Sequence, residues 1–346
     1  MGFIDEIRQR PGALRAFTDR YFSGSSIESE QLKTLLREKR VNQIFFTGMG
    51  SSLFASYIPC SFLRRKGIRA FAFEANELLS YDKSIIDDNT LVIAVSQSGE
   101  SDEVIELCRE LENHDNLIVV TNSVTSRLYT YGKIKFDLFA GEERHTASKT
   151  YTNTIAVLIH IAYIVSGADE YELNILKQHF INCIETAGEI VSDGSGRAGE
   201  IYSFIGGCSY IAVIGSGASY STASHAELVF EEAAKVRSSR YTTGQFVHGP
   251  IELINSYYGS VLLDLDPVIN KHTDRIIKDI CGYGGKVLLI TNRDITFKHS
   301  NLFVFSIKHS DPITSPILEI IPIELLVIEI GLRKNLQPGV LNRVRK

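Results

Sequence analysis

Short apolar runs alternate along the chain with longer stretches of helical periodicity, and the whole pattern occurs twice. In each half the first run ends in a glycine-containing turn, Gly48-Met49-Gly50-Ser51-Ser52 and then Gly215-Ser216-Gly217-Ala218-Ser219. Two later pairs of runs also correspond, namely 90–95 with 260–265 and 117–122 with 287–292. The offset of about 170 residues indicates a tandem domain duplication, because solenoid repeats are only roughly 20–50 residues long.

The apolar runs are continuous instead of alternating with polar residues. Strands that are buried on both faces are typical of a parallel sheet covered by helices. We therefore predict a doubly wound α/β sheet in each half, with ligands at the carboxyl ends of the strands. A polar and helical stretch between residues 166 and 201 joins the two halves.

The turn Ser96-Gln97-Ser98-Gly99-Glu100-Ser101 carries the clearest candidate chemistry. It joins the apolar run 90–95 to a predicted helix over 102–111. Hydroxyls and backbone N–H groups at a helix N-terminus suit a phosphate dianion, because the unpaired donors and the helix dipole favour negative charge. Gly99 lets the backbone approach the phosphate oxygens, and Ser101 is placed to cap the helix. The turn lacks the lysine of a nucleotide-binding loop, so a small metabolite with one phosphate fits best.

Other interpretations of these turns stay open. The serines could serve only as helix caps, although capping accounts for Ser101 and not for Ser96, Gln97 and Ser98 together. Gly48-x-Gly50 with Glu74 could imitate a nicotinamide-dinucleotide fingerprint, but Leu53 stands where a third glycine is required. If the phosphate interpretation holds, Ser51 and Ser52 line the same crevice from the neighbouring strand.

The second half lacks this phosphate turn and offers acid–base groups in its place. Its counterpart, Asp266-Pro267-Val268-Ile269, is a poor phosphate cradle. Glu231 and Glu232 lie on a predicted helix that also carries His225, and His248-Gly249-Pro250 follows. A carboxylate and an imidazole suit proton transfer beside a carbonyl and the opening of a sugar ring, although such residues are more often solvated or structural. No spacing of histidines or cysteines predicts a metal site.

Composition narrows the class of protein further. The 346 residues carry a net charge of −5 and no basic run, which argues against a nucleic-acid partner. The longest apolar stretches are short or contain charged residues, so they predict buried helices and no membrane span. The five cysteines are scattered and odd in number, which favours free thiols in a reducing cytoplasm.

These motifs together resemble the double sugar-isomerase (SIS) domain family over nearly the whole chain. The family includes the isomerase half of glutamine–fructose-6-phosphate aminotransferase, amino-sugar-phosphate deaminases and fructosamine-6-phosphate deglycases. The matching segments are the opening Glu6-Ile7-x-x-x-Pro11-x-Ala13-Leu14, the turn at Gly50-Ser51-Ser52, the turn 96–101, His145-Thr146-Ala147-Ser148-Lys149, and Gly244-Gln245-Phe246-x-His248-Gly249-Pro250. The resemblance implies two tandem flavodoxin-like α/β/α domains, with no cofactor.

The resemblance also implies domain limits. It gives a helical N-terminal segment over 1–35, a first SIS domain over 36–166 with the phosphate loop, and a helical connection over 167–200. A second SIS domain then covers 201–335, and the tail 336–346 contributes to the active site.

Roles for individual residues follow from the same resemblance. The phosphate and the sugar hydroxyls would be held by Gly50, Ser51, Ser52, Ser96, Gln97, Ser98, Ser101, Ala147 and Ser148. Glu232 falls where the family's base moves a proton between C1 and C2. His248 falls on the ring-opening histidine, which in the family reaches into the neighbouring subunit's site, so a cytoplasmic homodimer is expected.

The sequence departs from the family pattern at several positions. The chain begins Met1-Gly2-Phe3 without a nucleophilic N-terminal cysteine, so we expect no ammonia release from glutamine. The family's C-terminal imine-forming lysine is Arg343 here, and a guanidinium cannot form an imine. Lys346 could replace that lysine only if the register of the tail shifts. Gln245 and Val229 replace a family acid and a family lysine, so the substrate surroundings differ.

The prediction is an enzyme that acts on an amino-substituted hexose 6-phosphate, as a deaminase-isomerase or a deglycase. The sequence does not decide whether ammonia or an amino acid leaves. Two alternatives stay open, a non-catalytic sugar-phosphate sensor and an ammonia-dependent aminotransferase that forms glucosamine 6-phosphate.

Overall fold

Each half of the chain contains a five-stranded, all-parallel sheet, as the repeated apolar runs predict. The structure is a computed structural model, and it describes residues 2–24, 26–309, 311–341 and 343. Its contacts divide the chain into two units. Unit A contains Gly12–Glu143 and Lys149–Ile181, and unit B contains Met1–Pro11, Arg144–Ser148 and Asn182–Arg345.

The sheet of unit A has the strand order β2-β1-β3-β4-β5. Its strands are β1 Gln43–Gly48, β2 Ala70–Glu74, β3 Thr90–Val95, β4 Leu117–Thr121 and β5 Ile134–Asp137. Every residue of β3 and β4 is buried, because helices cover both faces of the central strands. The chain order reverses between β1 and β3, and this switch point is where doubly wound sheets bind ligands.

The sheet of unit B repeats this topology with the order β10-β9-β8-β6-β7. Its strands are β6 Tyr210–Ile214, β7 Ser238–Tyr241, β8 Tyr258–Asp264, β9 Lys286–Thr291 and β10 Leu302–Ser306. Numbered from its own first strand, it follows the flavodoxin-like order 2-1-3-4-5, as does the sheet of unit A. The predicted duplication of one doubly wound domain is thus confirmed at the level of strand order.

Helices surround both sheets. In chain order they are α1 Phe3–Arg8, α2 Arg10–Phe22, α3 Ile27–Glu38, α4 Gly50–Arg65, α5 Ala75–Glu77, α6 Asp102–Glu110, α7 Lys149–Val165, α8 Glu170–Ile205, α9 Ser219–Ala234, α10 Thr243–Phe246, α11 Asn270–Gly282 and α12 Pro316–Arg333. Helix α6 is amphipathic, as its helical periodicity predicts. Its buried face consists of Val104, Ile105, Leu107 and Cys108.

Helices α7 and α12 occupy corresponding places in the two units and are almost wholly buried. None of the described helices combines the length and the apolar character needed to cross a bilayer. The five cysteines are free thiols. Among the described residues no three acidic, histidine or cysteine side chains are grouped so that they could hold a metal ion.

Candidate functional site

The turn 96–101 lies at the carboxyl end of β3, beside the switch point of the unit A sheet. Ser96 is buried, Gln97 and Ser101 are partly buried, and Ser98 is exposed. The Ser96 hydroxyl is 3.0 Å from the Ser101 hydroxyl, and it accepts from the Gly99 N–H at 3.2 Å. These bonds fold the turn into a compact loop in front of α6, which we call the phosphate loop.

Ser101 has a different role from the one the sequence predicts. It is the residue that precedes α6, but its side chain makes no capping hydrogen bond. The expectation that its hydroxyl caps the helix is therefore wrong, because that hydroxyl is bonded to Ser96. The start of α6 is consequently not capped by the Ser101 side chain, which suits an external anion.

Position 99 must be glycine for steric as well as conformational reasons. Its φ is +68°, in the left-handed region that favours glycine. A Cβ at this position would lie 2.0 Å from the Ser126 Oγ. The close approach of the two loops therefore excludes any side chain here.

The loop after β4 braces the phosphate loop from one side. The Leu128 N–H donates to the Gly99 carbonyl at 3.0 Å, and the Asn122 N–H donates to the Gln97 carbonyl at 3.0 Å. Arg127 donates to the Glu100 carboxylate from its backbone N–H at 2.9 Å and from Nε at 2.6 Å. These Arg127 hydrogen bonds lower the pKa of Glu100. Sequence reasoning missed Arg127, because nothing in its local pattern marks it.

Gly50, Ser51 and Ser52 begin α4, at the carboxyl end of β1. Gly48 and Val95, the last residues of β1 and β3, are paired in the sheet. The two turns therefore leave adjacent strands at the same edge, as expected. Gly50 has a φ of +48°, and Ser51 and Ser52 are partly exposed. The Glu74 carboxylate, considered as a ribose ligand, instead accepts from the Asn76 N–H at 3.3 Å at the start of α5.

Ala147 and Ser148 belong to a short segment of unit B, Arg144–Ser148. Residues far away in the sequence hold this segment. The Arg144 N–H donates to the Glu6 carboxylate at 2.7 Å, and the Thr146 N–H donates to the Gly339 carbonyl at 3.0 Å. The family-like N-terminal segment thus has a physical task, which is to position the residues that precede Ser148.

His225 and Glu231, two of the candidate acid–base groups, differ in their surroundings. His225 is fully buried on α9, and burial lowers its pKa to about 3, with the Arg10 charge adding to the effect. It forms a hydrogen bond with the backbone of Ala147, so it is a neutral structural residue of the same segment. Glu231 is exposed, and partial burial and then Glu227 raise its pKa.

Glu232 and His248 also lie in unit B. Glu232 is partly buried in the last turn of α9, while His248 is exposed two residues after the end of α10. The His248 N–H donates to the Gln245 carbonyl at 3.2 Å, which fixes the backbone of the His-Gly-Pro turn. Arg343 is exposed, and Lys346 lies outside the described residues.

The corresponding edge of the unit B sheet is acidic. Asp264, Asp266 and Glu319 are all buried there. Arg293 pairs with Asp264 at 2.6 Å, whereas Glu319 accepts hydroxyls from Ser219 at 2.6 Å and Thr222 at 2.7 Å. Burial raises the pKa of Glu319 to about 7, and Asp266 and Asp264 act in the same direction. A phosphate dianion is therefore disfavoured at this edge, as expected for the counterpart of the phosphate loop.

Within the described residues, two doubly wound units and one hydroxyl-lined loop define a tandem α/β protein with a candidate phosphate anchor. Residues 35–164 match the family model of the SIS domain. The recognition made from the motifs is thereby confirmed.

Relatives extend the comparison over nearly the whole chain. The glutamine–fructose-6-phosphate aminotransferase of Wigglesworthia glossinidia brevipalpis is 25% identical over 352 residues, which cover 95% of this chain and 55% of the relative. The chain thus spans about half the length of the curated relatives it matches.

Solved structures confirm the fold. The C-terminal domain of glucosamine-fructose-6-phosphate aminotransferase from Francisella tularensis superimposes with a TM-score of 0.88 at 20% identity, covering 98% of each chain. Glucosamine-6-phosphate deaminase from Thermotoga maritima gives a TM-score of 0.72 at 19% identity, over 96% of this chain and 98% of that one.

Proposed function

We propose that the protein is an enzyme that binds a hexose 6-phosphate carrying an amine at C1 or C2 and removes that amine. The observation that carries the proposal is the phosphate loop at the switch point of unit A. A terminal phosphate monoester suits this loop because of its hydroxyls, Gly99 and the start of α6, which the Ser101 side chain does not cap. The names of the relatives, which are aminotransferases and deaminases of hexose phosphates, point to the same substrate class.

The chemistry at the other end of the substrate is assigned by resemblance. His248 would help to open the sugar ring and so free the carbonyl carbon. Glu232 would then take a proton from one of the carbons C1 and C2 and return it to the other. In a 2-amino sugar this transfer produces an imine at C2, and in a 1-amino ketose it produces an imine at C1. Water then adds to the imine carbon, and ammonia or an amino acid leaves.

The surroundings of Glu232 support a role as base. It is partly buried near the end of α9, whereas the adjacent Glu231 is exposed. We propose that the protein acts as a homodimer in the cytoplasm, with Arg343 binding the substrate electrostatically in place of the family's imine-forming lysine. Ala147 and Ser148 would contact the sugar.

The test is to incubate the protein separately with glucosamine 6-phosphate and with fructose-lysine 6-phosphate, and to assay ammonia and free lysine. We expect one substrate to be turned over and Glu232→Gln to abolish that turnover. Glu231→Gln is the matched control, because it removes the neighbouring carboxylate from an exposed position. Turnover of neither substrate, with binding unaffected by Glu232→Gln, would identify a sensor and overturn the enzyme proposal.

A second candidate activity follows from the aminotransferase relatives. Supplied with fructose 6-phosphate and ammonium, the protein would form glucosamine 6-phosphate. This is the reverse of the deaminase reaction, so both directions are measured at matched concentrations. Net synthesis at low millimolar ammonium would favour the synthase assignment.

A further inference from the structure

The phosphate loop carries negative charge where it should attract a dianion. Glu100 lies within the loop, and Asp102 is the first residue of α6. Two carboxylates beside a bound phosphate would weaken its binding, since like charges repel at short range. A nearby cation would offset this repulsion and favour phosphate binding.

Arg127 supplies that cation from the loop after β4. Besides its bonds to the Glu100 carboxylate, it donates from a terminal nitrogen to the Glu100 carbonyl at 3.2 Å and to the Asp102 carboxylate at 2.9 Å. One guanidinium thus joins both acids and the backbone of the phosphate loop. Its planar fork of donors makes this possible, whereas a lysine ammonium could not reproduce the set.

The residues on either side of Arg127 also contact the phosphate loop. The Ser126 side chain lies against Gly99, and the Leu128 N–H donates to the Gly99 carbonyl. Three consecutive residues therefore contact the phosphate loop, with Arg127 at their centre. The Arg127 side chain is exposed, so its charge is accessible to a ligand bound at the loop.

We propose that Arg127 is a positioning residue of the phosphate site, which neutralises Glu100 and Asp102 and so allows the loop to accept a dianion. This inference rests on the proposed function, because it assigns a role at the same site. Arg127 acts through the two carboxylates and needs no direct contact with the substrate.

The experiment measures the dissociation constant of glucosamine 6-phosphate by calorimetry at low ionic strength. Arg127→Ala should weaken binding about fivefold, the upper end for a charge interaction at an exposed site, because low ionic strength leaves the charges unscreened. The triple variant E100Q/D102N/R127A, which removes the cation and both carboxylates, should recover to within about twofold of wild type. Arg109→Ala is the matched control, because it breaks an exposed pair with Glu106 on the same helix.

The outcomes separate the inference from the proposed function. Equal binding by wild type and Arg127→Ala overturns the inference alone. Weak binding by both Arg127→Ala and the triple variant also overturns it, because the arginine would then be a strap and not a neutralising charge. If wild type binds inorganic phosphate but not the sugar phosphate, the proposed substrate is wrong, and the variants are compared with inorganic phosphate. Binding of neither probe overturns both.

Discussion

The Ser219 hydroxyl donates to the Glu319 carboxylate at 2.6 Å, so the protein's own carboxylate lies at the start of α9. Thr222 donates to the other oxygen at 2.7 Å. Glu319 lies in the first turn of α12, whereas α7, the corresponding helix of unit A, has no acidic residue in its first turn. The corresponding edges of the two sheets have therefore diverged, and the one in unit B is occupied by a buried carboxyl group of the protein itself.

Replacing Glu319 with glutamine should change how stability depends on pH. Because the folded pKa of about 7 exceeds the usual 4.5, the folded state holds a proton that the unfolded state releases between these values. Stability contributed by this group is present below about pH 4.5 and is lost as pH rises towards 7. Glu319→Gln should remove this loss, which amounts to about 3 kcal/mol.

Urea unfolding of wild type and Glu319→Gln at pH 5, 6, 7 and 8 measures the effect. The difference in unfolding free energy between the variant and wild type should rise with pH up to about 7.5. Glu329→Gln, on the more exposed face of α12, is the control. A difference that does not change with pH would show that Glu319 is ionised throughout.

Gly99→Ala should weaken sugar-phosphate binding by more than tenfold while the rest of the fold persists. The new Cβ would meet the Ser126 Oγ at 2.0 Å and would also strain the backbone at a φ of +68°. Strain of this kind costs about 1–3 kcal/mol. Gly67→Ala separates the two causes, because Gly67 has a φ of +78° with nothing within 4 Å of an added Cβ.

Binding by calorimetry and thermal melting distinguish the variants. Gly67→Ala should cost some stability and leave binding unchanged. The double variant Gly99→Ala/Ser126→Gly should recover part of the lost binding, because the Ser126 clash is removed while the strain and a 2.9 Å approach to the Thr121 Oγ1 persist. Full binding by Gly99→Ala alone would mean that the phosphate loop does not hold the phosphate.

The sequence alone predicts the central strands and the phosphate loop, because both are local patterns. A continuous apolar run such as 90–95 indicates a buried parallel strand, and serines around a glycine before a helix predict an anion-binding loop. The edge strands β5 and β7 cannot be predicted in this way, because Ile134–Asp137 and Ser238–Tyr241 have only four residues each, of which two and three are polar. They form strands because each pairs with one neighbouring strand, β4 or β6, and not because of their composition.

Arg127 and Glu319 could not be found from the sequence for a related reason. Arg127 contacts Glu100 across 27 residues, and Glu319 contacts Ser219 across 100. Each contact exists only because the fold brings residues that are distant in sequence to one edge of a sheet. The charge of a site in a doubly wound sheet is therefore set by several loops together, and no single motif predicts it.

The buried pair of Arg10 and Glu324 should be sensitive to losing one partner. Arg10 donates to both carboxylate oxygens at 2.8 and 2.6 Å, and both side chains are fully buried. Glu324→Leu leaves an uncompensated buried cation and should cost about 3–5 kcal/mol in unfolding free energy. Arg10→Met/Glu324→Leu should restore most of it, because it removes both charges.

Urea denaturation of the single and double variants tests this coupling. The exposed pair of Arg333 and Glu329, at 2.8 Å on the same helix, is the control. Breaking it with Arg333→Ala should change stability by less than about 1 kcal/mol. A double variant that is no more stable than Glu324→Leu would contradict the prediction.

His160 should make unit A sensitive to acid. Its Nε2 lies 2.9 Å from the Ser29 hydroxyl, and the ring packs among Phe17, Tyr21 and Phe22. Burial, and then the Lys33 charge, lower its pKa to about 3. Below about pH 6.5 the imidazole is protonated in the unfolded chain but stays neutral in the folded chain. The contribution of His160 to the unfolding free energy is therefore present above that pH and is lost as pH falls.

Replacing His160 with glutamine keeps a hydrogen-bonding group and removes the titration. At pH 7 the variant should be less stable than wild type, because the ring packing is lost. Between pH 6.5 and 4 the unfolding free energy of wild type should fall by about 3 kcal/mol more than that of the variant. The difference in stability between the two proteins should therefore narrow as pH falls. His272→Gln, an exposed histidine on α11, should leave the acid dependence unchanged. Parallel pH profiles for wild type and His160→Gln would show that the folded protein accommodates the imidazolium, contrary to the burial of the ring.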